Sequence, residues 1–220
     1  MPSSTAFRDI AVVDGALRLY PRLFSVEASK RYFDDLKRGV DWQSEHITMF
    51  GRSLPLPRLT AWFGDPGTRY TYSGISAEPA GWTPVLLRIK ARIEEVSTSR
   101  FNSVLLNYYR DGRDSVSWHS DDEPDLGPDP VIGSVSFGSE RPFQLRYRTN
   151  GAAAPDSFGE QGRDRLTLGL PNGSYLEMGA GMQRNWAHRL PKRPRPTGER
   201  INLTFRTILG RRAESPNADY

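Results

Sequence analysis

Residues 200–206 read Arg-Ile-Asn-Leu-Thr-Phe-Arg, which is the most diagnostic pattern in the sequence. Apolar and polar residues alternate strictly along it, which is the pattern of a β-strand with two unlike faces. One face carries Ile201, Leu203 and Phe205. The other carries four hydrogen-bond donors, namely Arg200, Asn202, Thr204 and Arg206. The stretch therefore predicts a strand with one face in an apolar core and one face lined by donors.

The same period of two recurs from residue 101 onward. The runs are NSVLLNYY (102–109), VIGSVSF (131–137), RPFQLRYR (141–148), DRLTLGL (164–170) and GSYLEM (173–178). Clusters of Gly, Pro, Asn and Asp separate them, as turns require. Several short strands at close spacing predict a sandwich or barrel. A polar stretch at residues 149–163 separates two of the strands, and loops of this length usually carry function or move.

Helical periods occur only in the first half of the chain. Thr83 and Pro84 form a cap and a first helical residue, and an apolar stripe follows at a spacing of three and four residues, comprising Leu86, Ile89, Ile93 and Val96. An earlier helix is predicted from about residue 26 to residue 38, capped by Ser25 and ended by Gly39. Phe33 and Leu36 are expected on its inner face.

The composition excludes several kinds of chemistry. The 220 residues include no cysteine and three histidines, so thiolate metal sites, disulfides and cysteine nucleophiles are ruled out. A catalytic metal would have to use histidine and carboxylate ligands. No apolar run approaches the roughly 18 residues of a membrane-spanning helix, and no signal-peptide pattern is present. We therefore expect a protein that is neither secreted nor inserted in a membrane.

The net charge of +4 is concentrated near the end of the sequence. Residues 1–183 carry 21 basic and 23 acidic side chains, whereas residues 184–220 carry 9 and 3. A segment with this excess of Arg and Lys fits contact with a polyanion, although a solvated basic loop and tail would give the same count.

Three residues form a candidate metal site. His119 and Asp121 lie two apart, so on an extended backbone they point the same way, and His188 follows later in the chain. The third histidine, His46, lies far upstream. Two histidines and one carboxylate are the ligands of non-haem Fe(II) oxygenases, although a zinc hydrolase uses the same set. A His-x-Asp pair alone is commonly a coincidence of surface residues.

The donor face of the 200–206 strand favours the oxygenase. Two arginines with an amide and a hydroxyl between them match a small dicarboxylate, because guanidinium groups bind carboxylates bidentately. Asn107 and Tyr109 share a face at the end of another strand and offer neutral hydrogen-bonding groups. An ordinary amphipathic strand with its polar face in water is the alternative.

Together these residues resemble the AlkB family of Fe(II)- and 2-oxoglutarate-dependent dioxygenases. The motifs are Asn107-x-Tyr109, His119-x-Asp121, His188 and the 200–206 strand. Upstream, Met49-Phe50-Gly51, Pro57-Arg58, Gly64-Asp65 and residues 69–74 (Arg-Tyr-Thr-Tyr-Ser-Gly) resemble the nucleotide-recognition segments of the homologues that repair double-stranded DNA. The resemblance covers roughly residues 47–210.

The resemblance implies a mainly β fold with flanking helices, a double-stranded β-helix or jelly-roll. His119, Asp121 and His188 would hold Fe(II), and O2 and 2-oxoglutarate would be co-substrates. Arg200 and Tyr109 would bind the distal carboxylate of 2-oxoglutarate, Arg206 and Asn107 would bind the carboxylate beside the keto group, and Asn202 and Thr204 would line the same face. Because apolar strand faces make the core, Asp121→Ala or His188→Ala should abolish turnover and leave the fold largely intact.

The implied substrate is alkylated DNA, with RNA as a second candidate. A methyl group on a Watson–Crick nitrogen is hidden in the duplex, so the base must be flipped out. Tyr70 and Tyr72 would flank the flipped base, with Gly51 and Ser73 in the same segments, and Asp122 would accept a bond from the base or favour its cationic form. Phe50 would be the wedge that fills the gap. Phosphates would be held by Arg52, Arg58 and the basic segment around Lys192.

Residues 1–220 are expected to form one dioxygenase domain. It would comprise an N-terminal extension with the helices and the recognition lid (1–100), the jelly-roll core (101–210) and a tail (211–220). Neither a membrane nor an obligate protein partner is expected, and the compartment would be the cytoplasm of a bacterium or the nucleus of a eukaryote. Asp156 and Glu160 in the 149–163 stretch, where a DNA-gripping loop would be basic, leave the preference for duplex open.

Two alternatives remain at this point. The same iron site could act on a protein or a small molecule, since the metal and co-substrate residues do not name a substrate. A jelly-roll that binds nucleic acid without catalysis is the other alternative, and the intact ligand set argues against it.

Overall fold

A computed structural model describes residues 6–49, 52–68, 70–72, 75–149, 164–195 and 197–209. Its strands are β1 (Arg8–Asp9), β2 (Leu17–Tyr20), β3 (His46–Met49), β4 (Arg52–Pro55), β5 (Leu59–Gly64), β6 (Tyr70–Tyr72), β7 (Ile75–Ala77), β8 (Ser103–Tyr109), β9 (Val116–His119), β10 (Ile132–Gly138), β11 (Arg141–Tyr147), β12 (Arg165–Leu170), β13 (Ser174–Met178), β14 (Trp186–Leu190) and β15 (Arg200–Arg206). The helices are α1 (Val26–Gly39), α2 (Pro84–Glu94) and α3 (Met182–Asn185), and a 3-10 turn covers Pro124–Leu126.

Two antiparallel sheets make up the body of the protein. The larger has seven strands in the order β1-β2-β13-β10-β15-β8-β5, and the smaller has four in the order β12-β11-β14-β9. A cluster of buried apolar side chains lies between them, to which β2 and β13 contribute Leu19 and Leu176 and the small sheet contributes Leu145 and Trp186. The predicted mainly β fold class is confirmed. Two hairpins, β3–β4 and β6–β7, stand as separate two-stranded sheets.

The two long helices cover the other face of the seven-stranded sheet. Ser25 caps α1 by accepting a bond from the backbone N–H of Ala28, and Thr83 caps α2 in the same way through Leu86. Leu36 on α1 and Ile89 on α2 are fully buried in the cluster between helices and sheet. The caps and the apolar stripes are therefore as the sequence predicts, except that Val96 lies two residues beyond the end of α2. Within the described residues, no helix has the length and apolar character to span a bilayer.

Strand β15 lies in the large sheet between β10 and β8. Ile201, Leu203 and Phe205 are fully buried against the helices. The donor face is buried as well, since Arg200, Asn202, Thr204 and Arg206 are between 2% and 8% exposed. The interpretation of β15 as an amphipathic strand with a solvated face is therefore wrong, and its donors line a pocket instead.

The N-terminal strands were not expected from the sequence pattern. β2 pairs with β13, and β5 pairs with β8 over six residues from Leu59↔Tyr108 to Gly64↔Ser103. Leu59–Gly64 is apolar at most positions, because both faces of β5 are largely covered, and so it lacks the alternation that marks a half-exposed strand. These strands place part of residues 1–100 in the same sheet as the predicted core.

Candidate metal centre and its pocket

Three side chains meet between the sheets. His119 ends β9, His188 lies on β14 directly opposite it, and Asp121 follows two residues after His119. One ligand atom from each of the three lies within 4.8 Å of the others. The sequence prediction that these residues come together is therefore met by the geometry.

The imidazole of His119 is oriented by a backbone group. Its Nδ1 lies 2.8 Å from the carbonyl oxygen of Ser117. Because a carbonyl only accepts, Nδ1 must carry the hydrogen, and the lone pair is left on Nε2. A hydrogen bond of this kind to the second nitrogen is usual for a metal-binding histidine.

Burial and neighbouring charges set the charge states of His188 and Asp121. Burial lowers the pKa of His188 to about 3, and the nearby His119 acts in the same direction, so the imidazole is neutral and its lone pair is available. Burial opposes ionisation of Asp121, but the Arg206 guanidinium, followed by the histidines, holds the pKa of this carboxyl well below its usual range. Two imidazoles and one carboxylate are the ligand set of Fe(II) sites that keep further positions open.

Two contacts hold Asp121 in place. Arg206 Nη2 donates to Asp121 Oδ1 over 2.6 Å, with both side chains almost fully buried. The backbone N–H of Asp121 donates to Gln183 Oε1 at 3.0 Å. Sequence reasoning missed Gln183, since an isolated glutamine in a helix of four residues carries no signal. It also missed the contact that makes Arg206 the counter-ion of a metal ligand.

Arg200 is a buried cation on the donor face of β15. Its Nη2 donates to Ser136 Oγ at 2.9 Å, and its Nε is buried without a hydrogen-bond partner among the described residues. Burial lowers the pKa of Arg200 to about 10, so the group is still charged at neutral pH. A buried guanidinium with an unused donor is suited to a carboxylate ligand. The pocket therefore fits one end of 2-oxoglutarate.

Neighbouring side chains fix the rest of this face. Asn202 Nδ2 donates to Ser134 Oγ and to the carbonyl of Val135, and Thr204 Oγ1 donates to Asn202 Oδ1. The Arg200 guanidinium lies 5.3 Å from the centre of the Tyr109 ring. The side chains of Asn202 and Thr204 thus form hydrogen bonds within the protein, and they shape the pocket wall.

A family model described as 2OG-Fe(II) oxygenase superfamily matches residues 16–206. The chain is 42% identical over 192 residues to "Alpha-ketoglutarate-dependent dioxygenase alkB homolog 3" of Mus musculus, covering 86% of this chain and 65% of that protein. It is 37% identical over 196 residues to "DNA oxidative demethylase ALKBH2" of Homo sapiens, covering 86% of this chain and 72% of that protein. The chain belongs to the AlkB family of 2OG-Fe(II) oxygenases.

The fold and cofactors follow from this membership. The solved chain titled "The structure of OsALKBH1" superposes with a TM-score of 0.55 at 17% identity, covering 91% of this chain and 100% of that one, which supports the fold alone. The predicted jelly-roll and the predicted dependence on Fe(II) and 2-oxoglutarate are confirmed. The chain spans 65% of the length of the mouse alkB homolog 3.

Arg58 occupies a different place from the one predicted. It is only 3% exposed, lines the pocket, and donates from Nε to Asn107 Oδ1 at 2.7 Å. The prediction that Arg58 holds a phosphate does not fit this position. The physical reason is that β5 begins at Leu59 and pairs with β8, which carries Arg58 inward to Asn107. The inward position of Arg58 could have been predicted from the pairing of β5 with β8. The sequence did not indicate that pairing, because β5 lacks the alternation that predicts a strand.

Asp122 lies beside the metal ligands and is about half exposed. Its Oδ2 accepts from Arg148 Nη1 at 2.8 Å, and the same nitrogen donates to Ser120 Oγ at 3.0 Å. Asp122 is thus already paired, and Arg148 is a further neighbour that the sequence did not indicate. The contact between Asp122 and a base stays a prediction.

The remaining recognition residues are only partly described. Phe50, Gly51 and Ser73 lie outside the described residues. Arg52 begins β4, and Tyr70 and Tyr72 are the ends of β6. Their predicted contacts with a base or a phosphate stay predictions. In the basic segment, Lys192, Arg193 and Arg195 are exposed.

Proposed function

We propose that this protein removes N-linked methyl groups, such as those of 1-methyladenine and 3-methylcytosine, from bases of alkylated DNA. The observation that carries the proposal is the triad of His119, Asp121 and His188, of which Asp121 and His188 are buried, beside the buried Arg200 cation. In the overall reaction a methylated base, 2-oxoglutarate and O2 give the repaired base, formaldehyde, succinate and CO2. The human relative is a DNA oxidative demethylase by name, which supports the substrate class, and the name of the mouse relative, an alpha-ketoglutarate-dependent dioxygenase, supports the co-substrate.

The side chains of the pocket have separable tasks in this reaction. When bound, Fe(II) would activate O2, the oxidant, and 2-oxoglutarate would supply two of the four electrons that O2 takes up while the methyl group is hydroxylated. Arg200 with Tyr109 binds the distal carboxylate, and Arg206 with Asn107 binds the carboxylate beside the keto group. Arg58 holds Asn107 through its side-chain oxygen. Apolar residues on the pocket wall, namely Leu105, Val116, Phe143, Met178 and Leu190, limit the access of water.

The proposed recognition lid comes from residues 1–100. Its hairpins β3–β4 and β6–β7 carry the segments that would meet the nucleic acid, with Tyr70 and Tyr72 flanking the flipped base and Asp122 facing it. RNA is a second candidate substrate, and no obligate protein partner is proposed. The protein would act where the nucleic acid is, in the cytoplasm of a bacterium or the nucleus of a eukaryote.

A coupled turnover assay tests the proposal against its alternatives. Succinate formation with Fe(II) and 2-oxoglutarate is expected to rise when an oligonucleotide with 1-methyladenine is added, with one formaldehyde released per succinate above the background. The same oligonucleotide without the methyl group is the control. An enzyme for a protein or a small molecule would be indifferent to the methylated strand, and a binding module would form no succinate.

Phe50→Ala is expected to reduce repair of a methylated base in duplex DNA far more than in a single strand. A wedge acts only where a base must leave a stack, so its loss matters little when no partner strand is present. Formaldehyde release from the two substrates, measured at several salt concentrations, gives the ratio of repair in duplex DNA to repair in a single strand. Equal losses on duplex and single strand would reject the wedge.

Replacement of Lys192, Arg193 and Arg195 by Ala is the contrasting variant. Phosphate contacts are independent of sequence and sensitive to salt, so binding to both forms should weaken. The slope of log affinity against log salt on duplex should fall by up to about 0.9 per lost contact. The two variants therefore fail in different ways if both roles are correct.

A further inference from the structure

The strand that carries His119 is weakly held by its backbone. β9 spans four residues at the edge of the four-stranded sheet. It pairs with β14 at His188↔His119 and Leu190↔Val116, with an irregular register between the two pairs. Short edge strands with few ladder bonds open at low cost in free energy. Some other contact is needed to keep the His119 imidazole beside Asp121 and His188.

A cation–π cluster lies on the opposite face of this sheet. Trp118 directly precedes His119, and Arg189 directly follows His188, so on extended strands both point away from the metal centre. The guanidinium carbons of Arg146 and Arg189 each lie 4.5 Å from the centre of the Trp118 ring. The cluster therefore joins β9 to β11 and to β14 behind the ligands.

Both arginines lie on strands of the sheet, and the side chain of Arg189 is also held by a hydrogen bond. Arg189 Nε donates to Gln144 Oε1 at 2.7 Å, and Gln144 lies opposite Arg189 in the β11–β14 ladder. Arg146 lies two residue pairs further along the same ladder, opposite Ala187. Neither arginine forms an ion pair with a carboxylate among the residues that the structure describes. The indole of Trp118 is thus a partner that both guanidinium groups share.

We propose that Trp118 is a positioning residue for the metal centre. By stacking with Arg146 and Arg189 it holds the edge strand β9 in register, and this keeps His119 within ligating distance of Asp121 and His188. The proposal rests on the metal site of the proposed function and is independent of the substrate.

The size of the effect follows from a population argument. A cation–π contact changes an equilibrium constant, here that between β9 in place and β9 displaced, by about two- to thirtyfold, depending on how far the contact is desolvated. If the loss of the stack leaves β9 in place only part of the time, the apparent dissociation constant of the metal rises by the inverse of that fraction. We expect Trp118→Leu to weaken metal binding by about tenfold.

The experiment measures binding of Mn(II), a redox-inert substitute for Fe(II), by the electron paramagnetic resonance signal of the free ion. Trp118→Leu should raise the dissociation constant, and Trp118→Phe, which keeps a ring for the guanidiniums, should restore most of the affinity. Phe7→Leu is the matched control, because it removes a similar contact, Arg18 at 4.3 Å over the Phe7 ring, near the edge strand β1 of the other sheet. This control should leave Mn(II) binding unchanged.

Unchanged Mn(II) affinity in folded Trp118→Leu would overturn the proposal, as would an equal loss in Phe7→Leu. If Trp118→Leu does not fold, Arg146→Ala and Arg189→Ala provide the same test, since each removes one contact and keeps the indole. Both should weaken Mn(II) binding, and two unaffected variants would overturn the proposal. A different result would contradict the proposed function. In that case the wild-type protein would bind Mn(II) but release no formaldehyde from methylated oligonucleotides.

Discussion

Asp121→Ala is expected to abolish turnover and also to destabilise the fold by about 3–5 kcal/mol. Turnover is lost because the only carboxylate of the triad is removed. Stability is lost because the Arg206 guanidinium, buried beside Asp121 at 2.6 Å, loses that carboxylate. The sequence alone leads to the expectation of an intact fold, and the contact with Arg206 corrects it. Succinate formation and denaturant unfolding measure the two effects.

His119→Ala is the matched control for Asp121→Ala. It removes a ligand from the same triad, but His119 is partly exposed and its recorded hydrogen bond goes to the carbonyl of Ser117. Turnover should be lost with a much smaller change in the free energy of unfolding. Near-native activity in either variant would refute the ligand assignment, and equal unfolding costs would refute the role given to Arg206.

Arg200→Met is expected to weaken binding of 2-oxoglutarate by about 2 to 5 kcal/mol, which corresponds to roughly 30- to 5,000-fold. The free protein should lose little stability, or gain some, because Arg200 is a buried cation without a carboxylate partner among the described residues. The expected result is an unchanged or higher melting temperature without co-substrate, and a much smaller rise when 2-oxoglutarate and Mn(II) are added.

Arg141→Met separates this effect from the general loss of a buried arginine. Arg141 is fully buried, but it donates to the carbonyls of Asp111, Asp114 and Pro191, and it does not line the pocket. Its loss removes the donor from three carbonyl oxygens, and the buried one, that of Asp114, is left unsatisfied at a cost of about 1–3 kcal/mol. The control should therefore melt at a lower temperature and change 2-oxoglutarate affinity far less. Unaltered co-substrate affinity in Arg200→Met would assign the distal carboxylate to another residue.

The sequence predicted the parts of the site that lie on regular strands. Alternation fixes which residues share a face within one strand, so Arg200 could be grouped with Asn202 on β15, and Asn107 with Tyr109 on β8, from the sequence. The helix caps at Ser25 and Thr83 were equally readable, because a cap is a local hydrogen bond. In these places local chemistry and the final structure agree.

The sequence did not predict contacts that depend on which strands become neighbours. Arg58 reaches Asn107 only because β5 pairs with β8, and Arg206 reaches Asp121 only because the two sheets face each other. The Trp118 cluster likewise needs β11, β14 and β9 side by side. Pairing between distant strands is a property of the whole chain, and the pattern of one segment does not contain it.

The shared large sheet limits how this protein can be re-engineered. β5 forms one edge of the sheet beside β8, so residues that lead out of the recognition hairpin β3–β4 continue directly into a strand that protects the polar edge of β8. Excising the N-terminal segment would expose that edge to pairing with other chains, which promotes aggregation. Chimaeras that exchange recognition segments between relatives should therefore have their junctions within the hairpins. The paired strands β5 and β8 should both come from the same parent protein.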